Sequence, residues 1–204
     1  PIFNGTVVGD LDGGPGTDTL TMPGSVTGII SNIERIIVDG TVNPDQIVVR
    51  LNGGTSDVEV EITTLGVPTV TRFFQPPVTP TLTVIVNALD DDDVVVIDHR
   101  NGFVDADIVL DGNAGADSLQ VLDSGSTLSN LSAVYVPGDS TDNGTVFLSE
   151  AGLTQTIMFS GLTPVEFTGI AAATLRTPRS ADVITLADAT GPISGLNALE
   201  VRGT

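Results

Sequence analysis

The sequence predicts an all-β fold, and three observations carry the prediction. Short runs rich in Val, Ile, Leu and Thr recur along the chain, and Gly, Asn, Asp or Pro punctuate nearly all of them. No segment of useful length repeats its apolar residues at the helical period. The nearest, residues 169–175, has three alanines but lies between turn residues. Val, Ile, Leu and Ala carry the apolar share, 40% of 204 residues with only 4% aromatic, which suits thin cores built from repeated strands.

Taken in order, strands are expected at 35–38, 46–51, 58–62, 82–86 and 94–98, then at 107–110, 118–122, 133–136, 145–148, 156–159 and 183–186. High net charge can signal disorder, but apolar residues in regular strand-length runs argue against it. The stretch Gln75-Pro76-Pro77-Val78-Thr79-Pro80 removes strand donors and favours extended geometry, so it reads as a linker or protruding loop. It divides the chain into a first block, 1–75, and a second, 81–204, unless 1–204 is one continuous domain.

Internal repetition refines the fold. Asp12-Gly-Gly-Pro-Gly-Thr-Asp18-Thr-Leu20 returns 99 residues downstream as Asp111-Gly-Asn-Ala-Gly-Ala-Asp117-Ser-Leu119. A weaker echo matches 182–186 to 18–22 and 195–204 to 32–41, the pattern of a segment cut from a tandem array. Three runs, 44–49, 92–96 and 181–186, place an acidic turn before alternating apolar positions. In a parallel β-solenoid such turns line up along one edge, and a column of carboxylates there would repel itself without counterions. The predicted architecture is an elongated parallel β-helix or solenoid with irregular coils. The alternative is one or two Ig-like β-sandwich domains, which the 99-residue spacing also suits.

Charge narrows the partners. There are 26 acidic residues against 7 basic ones, a formal net charge of −19, and every basic residue is arginine. Such a surface repels nucleic acid and anionic membranes, so neither nucleic-acid binding nor membrane insertion is expected. Multivalent cations are the natural partner. Aspartates outnumber glutamates 20 to 6, and short Asp side chains suit turns and oxygen-ligand metal sites. Without cysteine, stability must come from packing, alone or with metal, rather than from disulfides. No stretch approaches a membrane span and residue 1 is not Met, as expected of a mature secreted chain or a segment of a longer one.

The segment Gly13-Gly14-Pro15-Gly16-Thr17-Asp18-Thr19-Leu20 resembles the nonapeptide of hemolysin-type (RTX) calcium-binding proteins. The resemblance implies calcium held by Asp10, Asp12 and Asp18, with Gly14 and Gly16 turning main-chain carbonyls toward the ion, and a second site at Asp111 and Asp117. Isolated calcium sites and glycine turns kept for geometry alone are the two readings, because the copies stand too far apart for a regular RTX β-roll. More broadly, the order of motifs resembles very large repetitive surface proteins of aquatic bacteria, similar to β-helical adhesins and autotransporter passengers. This implies an extracellular, cell-surface location. Asp90-Asp91-Asp92-Asp93 reads as a solvated acidic turn or a cation site.

Catalysis has little to work with. His99 is the single histidine and is expected at a surface or turn; there is no cysteine, lysine or Gly-x-Ser-x-Gly elbow. Carboxylate pairs remain, but sugar-cleaving sites want aromatic platforms and the chain has no Trp. Sequons at Asn4, Asn130 and Asn143 are frequent enough to arise by chance in such a composition, and Thr-x-Thr pairs are too isolated for an ice-binding ladder. The expected function is therefore a non-enzymatic structural repeat unit of a bacterial surface layer, fibre or matrix protein, stabilised or assembled by calcium and self-associating head-to-tail or by edge strands. The alternatives are an adhesin that binds surface glycans and a β-helical polysaccharide-degrading enzyme.

Overall fold

The computed structural model describes residues 6–22, 25–26, 28, 30–54, 57–64, 70–74, 81–123, 130–177, 184–191, 195 and 197–203. Asn4, the Pro-rich stretch 76–80 and the acidic turn at 181–182 lie outside the described residues.

The described fold is all-β. Its first strands are β1 (Thr6–Val7), β2 (Leu11–Asp12), β3 (Thr19–Met22), β4 (Ser25–Val26) and β5 (Ile30–Ser31). Then come β6 (Arg35–Asp39), β7 (Asp45–Leu51), β8 (Val58–Thr64), β9 (Val70–Phe74) and β10 (Leu82–Asn87). They are followed by β11 (Val94–Asp98), β12 (Ala106–Asp111), β13 (Asp117–Leu122), β14 (Ser132–Pro137) and β15 (Gly144–Glu150). The last are β16 (Leu153–Ser160), β17 (Leu162–Thr168), β18 (Ala172–Leu175), β19 (Ile184–Thr190) and β20 (Asn197–Gly203).

Two sheets dominate. The larger runs β18-β14-β15-β16-β12-β10-β6-β3 and the smaller β17-β13-β11-β7-β8-β9. From β3 to β16 every neighbour in the larger sheet is parallel, and so is every neighbour from β7 to β17 in the smaller. Along the chain β6, β10, β12 and β16 are each followed by a strand of the other sheet, namely β7, β11, β13 and β17. Strands from both sides of residues 76–80 pair directly: β6 with β10, and β7 with β11.

Alternation along each strand explains the core. In β10, Leu82, Val84 and Val86 are buried while Thr83, Ile85 and Asn87 are half-buried on the other face. Parallel pairing, unshifted except between β13 and β17, stacks like on like. Leu20, Ile36, Val84, Ile108 and Ile157 form one inward row across the larger sheet, all buried. Ile47, Val95 and Leu119 form one in the smaller sheet, and Val49, Ile97 and Val121 the next. Both sheets feed one hydrophobic cluster. Each such side chain contributes roughly 1.5–3 kcal/mol by leaving water, and a one-residue slip would turn the whole row outward.

Two antiparallel excursions interrupt this alternation between the sheets. After β7 the chain reverses at Asn52, whose Oδ1 accepts the Gly54 N–H at 2.9 Å, and β8 and β9 extend the smaller sheet. Arg50 of β7 reaches both Glu59 and Glu61 of β8. Beyond β13, β14 and β15 extend the larger sheet before the chain returns as β16. The β15–β16 hairpin turns on Ala151 and Gly152, both with positive φ (50° and 89°), the geometry that matches strand twist in a two-residue loop. Near the C-terminus, β19 and β20 pair antiparallel, whereas β3 and β6, their counterparts in the sequence echo, pair parallel.

Candidate functional site

The residues with unusual chemistry gather where the chain leaves one strand and enters the next. Four turns are six residues long and end on aspartate: 13–18, 40–45, 88–93 and 112–117. In three of them the second and fourth residues are left-handed. These are Gly14 and Gly16 (φ 84° and 136°), Leu89 and Asp91 (80° and 76°), and Asn113 and Gly115 (62° and 148°). The glycine-rich motif therefore encodes a corner that 88–93 also builds without any glycine. That equivalence was missed in the sequence because Leu and Asp seldom take positive φ; the available signal was the aspartate at the sixth place after the strand end.

The two motif copies occupy different corners. Turn 13–18 leads into β3 of the larger sheet, while turn 112–117 leads from β12 into β13 of the smaller one. Asp12 caps its own turn: Oδ1 accepts the Gly14 N–H at 3.0 Å and the Asn32 Nδ2–H at 2.8 Å. Those bonds, Asn32 first, hold its carboxyl below the usual range. Asp111 does likewise, with Oδ1 accepting from Asn113 N and Ser160 Oγ. Asp18 donates its main-chain N–H to Glu34 Oε2 at 2.7 Å. Asp10 is exposed and has a polar interaction of its own. Gly14 and Gly16 supply the two left-handed positions.

Turns 40–45, 88–93 and 112–117 stack at one corner, and there the sixth-position aspartates form a column. Asp45 N–H donates to Asp93 Oδ1 at 2.7 Å, and Asp93 N–H donates to Asp117 Oδ1 at 2.9 Å. All three are buried, Asp93 and Asp117 to 1% exposure. Asp45 is well satisfied, accepting from Thr41 N–H and from the Thr41 and Thr64 hydroxyls. Asp93 Oδ2 and Asp117 Oδ2 have no hydrogen-bond partner. Burial pushes Asp93 up to about 7, with the charges of Asp117, Asp45 and Asp91 adding to it against the Asp45 N–H. Asp117 is raised by burial and by Asp92. The acidic run thus divides: Asp90, Asp91 and Asp92 are exposed as a solvated turn, whereas Asp93 faces inward.

Close main-chain approach builds the walls of this corner. A Cβ at Gly112 would stand 2.5 Å from the Gly161 carbonyl oxygen and 2.6 Å from Asp117 Oδ2. At Gly40 it would stand 2.5 Å from the Ala88 carbonyl oxygen. Oxygen atoms therefore crowd a space that only glycine leaves open. Among the described residues no group of three or more His, Cys, Asp or Glu side chains gathers to hold an ion.

A second polar nest lies beneath the loop between β11 and β12. His99, expected at a surface or turn, is in the loop but is 4% exposed, its ring tilted 43° against Phe103 at a centroid separation of 5.3 Å. The Val104 N–H donates to its Nδ1, and burial pushes it down to about 4 against the charges of Asp123 and Asp98 and the nearby Gln155. Gln155 donates to the Val104 and Ala106 carbonyls at 2.8 Å each. Burial works to raise Asp98, but the Arg100 guanidinium, 2.7 Å away, outweighs it and holds the carboxyl low. No protein-family model, curated protein or solved structure matches the chain.

Proposed function

We infer that this chain is a non-catalytic structural segment of an extracellular bacterial surface protein, wound as an irregular parallel β-solenoid and stabilised by calcium. The observation that carries the reading is the paired set of parallel strands, β3-β6-β10-β12-β16 and β7-β11-β13-β17, with a register shift only between β13 and β17, entered alternately by the chain from β6 onward. An Ig-like sandwich builds its sheets from antiparallel pairs, so this pairing favours stacked coils. The carboxylates that stack at the corner, Asp45, Asp93 and Asp117, are buried beyond the reach of a polysaccharide. His99 is likewise buried and held neutral near pH 7. Both features suit a scaffold better than a hydrolase.

Head-to-tail or edge-strand self-association follows from this reading, because a strand at the end of a sheet is a template for another chain. Among the described strands β17 and β9 end the smaller sheet, and β3 and β18 the larger. Sedimentation and electron microscopy at high protein concentration, with calcium and with chelator, test it. Ordered polymers in calcium support the structural role. A persistent monomer that binds a glycan array overturns it in favour of an adhesin, for which the exposed Phe147 and Met158 on one face of β15 and β16 offer an apolar surface.

A further inference from the structure

The Asp93–Asp117 step of the column differs from the step before it. Asp45 uses its carboxylate on hydroxyl and main-chain donors of its own neighbourhood. Asp93 and Asp117 each accept one main-chain N–H at Oδ1 and leave Oδ2 buried without a partner. A buried carboxylate oxygen lacking a donor costs the fold free energy, and two on adjacent turns compound it through like-charge repulsion. The fold tolerates this where a ligand supplies the missing interaction.

The surroundings identify the ligand class. Asp117 Oδ2 and the Gly161 carbonyl oxygen both lie within 2.6 Å of the point that a Gly112 Cβ would fill. On the other side, the Asp91 carbonyl oxygen crowds the Cβ position of Gly115, from which Asp117 Oδ1 is 3.0 Å. Every donor is oxygen, and neither nitrogen nor sulfur ligands take part. Carboxylates and main-chain carbonyls in an irregular arrangement suit calcium, which accepts six to eight oxygens flexibly, better than magnesium, which demands a near-ideal octahedron.

We propose that Asp93 and Asp117, through their Oδ2 atoms and with the main-chain carbonyl of Gly161 beside Asp117 Oδ2, hold one calcium ion between neighbouring corner turns. The site deepens the calcium-stabilised reading above and rests on it, but it moves the ion from the exposed Asp12 cap to a buried step of the column. Two carboxylates give a low ligand charge, so the dissociation constant falls in the range of about 10⁻⁴–10⁻³ M typical of extracellular modules.

Calorimetric titration with calcium chloride at pH 7.5 and constant ionic strength, together with melting curves, tests the site on the wild type, D93N, D117N and D12N. Asparagine keeps the Oδ1 acceptor for the main-chain N–H while removing one charge. The wild type binds one ion and melts higher in calcium. D93N and D117N lose affinity roughly tenfold or more and lose the calcium increment, while in chelator they melt at or above the wild type because the repulsion is gone. D12N keeps the increment. If D93N and D117N retain the full increment, the site is overturned while calcium stabilisation of the segment stands. If the wild type shows no increment, both fall, and the structural role is still judged by polymer formation. Carboxyl ¹³C shifts of the unmodified protein provide a test without any variant: the Asp93 and Asp117 signals move with calcium saturation, and a titration that leaves them still overturns the proposal.

Discussion

The main-chain N–H of Asp93 donates to Asp117 Oδ1 across 2.9 Å, and the second carboxylate oxygen of each residue is buried without a partner. One contact thus joins two neighbouring turns by a backbone-to-side-chain bond and brings two acidic side chains together in a buried corner. The stability of the stacked strands is therefore tied to what neutralises that corner.

Protons are one such agent, and their effect is set against that of His99. Asp93 titrates at about 7 in the fold against an ordinary value of 3.8, so the folded chain binds more protons and stability falls as pH rises from about 4 to 7. His99 titrates at about 4 against 6.5, so the unfolded chain binds more protons and stability rises over nearly the same window. In chelator the two slopes oppose each other. Urea unfolding between pH 4 and 7 should show a slope more positive than wild type in D93N and more negative in H99N, each by up to a few kcal/mol over the window at about 1.36 kcal/mol per pKa unit. Slopes unchanged in both variants would contradict the assignment.

Glycine at the corner is a steric requirement. Gly112→Ala forces a methyl against the Gly161 carbonyl and the Asp117 carboxylate and should destabilise by roughly 1–3 kcal/mol. Gly53→Ala meets only Asn101, at 3.6 Å, and should change stability by less than about 0.5 kcal/mol. Equal midpoints in denaturant for the two variants would refute the close-approach account.

The inward and outward rows of one strand should differ sharply. Ile108 is buried in the row that joins β3 to β16, while Val109 is half-buried on the opposite face. Ile108→Ala should lose about 2–5 kcal/mol and Val109→Ala about 1 kcal/mol or less, read from chemical unfolding. A larger loss at Val109 would mean that the outer face of the larger sheet is covered.

Gln155 is a buried strut that joins β16 to the loop before β12. Replacing it with leucine leaves the Val104 and Ala106 carbonyls without these donors and should cost about 1–3 kcal/mol for each carbonyl left unsatisfied. Loss of His99 ring packing, visible as altered imidazole proton shifts, should accompany it.

How much of this the sequence disclosed follows from the physics of each element. All eleven expected strands appear within a few residues of their predicted bounds, because alternation and β-branching act locally. Residues 162–168 form β17 although Pro164 sits inside it, and that proline hid the strand. The stacking of acidic turns was legible at Asp45 and Asp93, since each stands just before an alternating run. Which carboxylate would be left unsatisfied was not, because that depends on Thr41 within the turn and on Thr64, brought over by the β7–β8 excursion, both reaching Asp45. Burial of His99 was equally hidden: its polar neighbours Arg100 and Asn101 are exposed, and the contacts that hold the ring inward, Phe103 and the Val104 N–H, come from the loop's own fold.

The most direct measurement is thermal unfolding of the unmodified chain followed by circular dichroism, in excess calcium, in excess magnesium and in chelator, at pH 7.5 and one ionic strength. Ions bound only by the fold raise its stability by mass action. Calcium should raise the midpoint by several degrees above chelator while magnesium leaves it near the chelator value. Identical midpoints in all three conditions would contradict a calcium-stabilised structural segment.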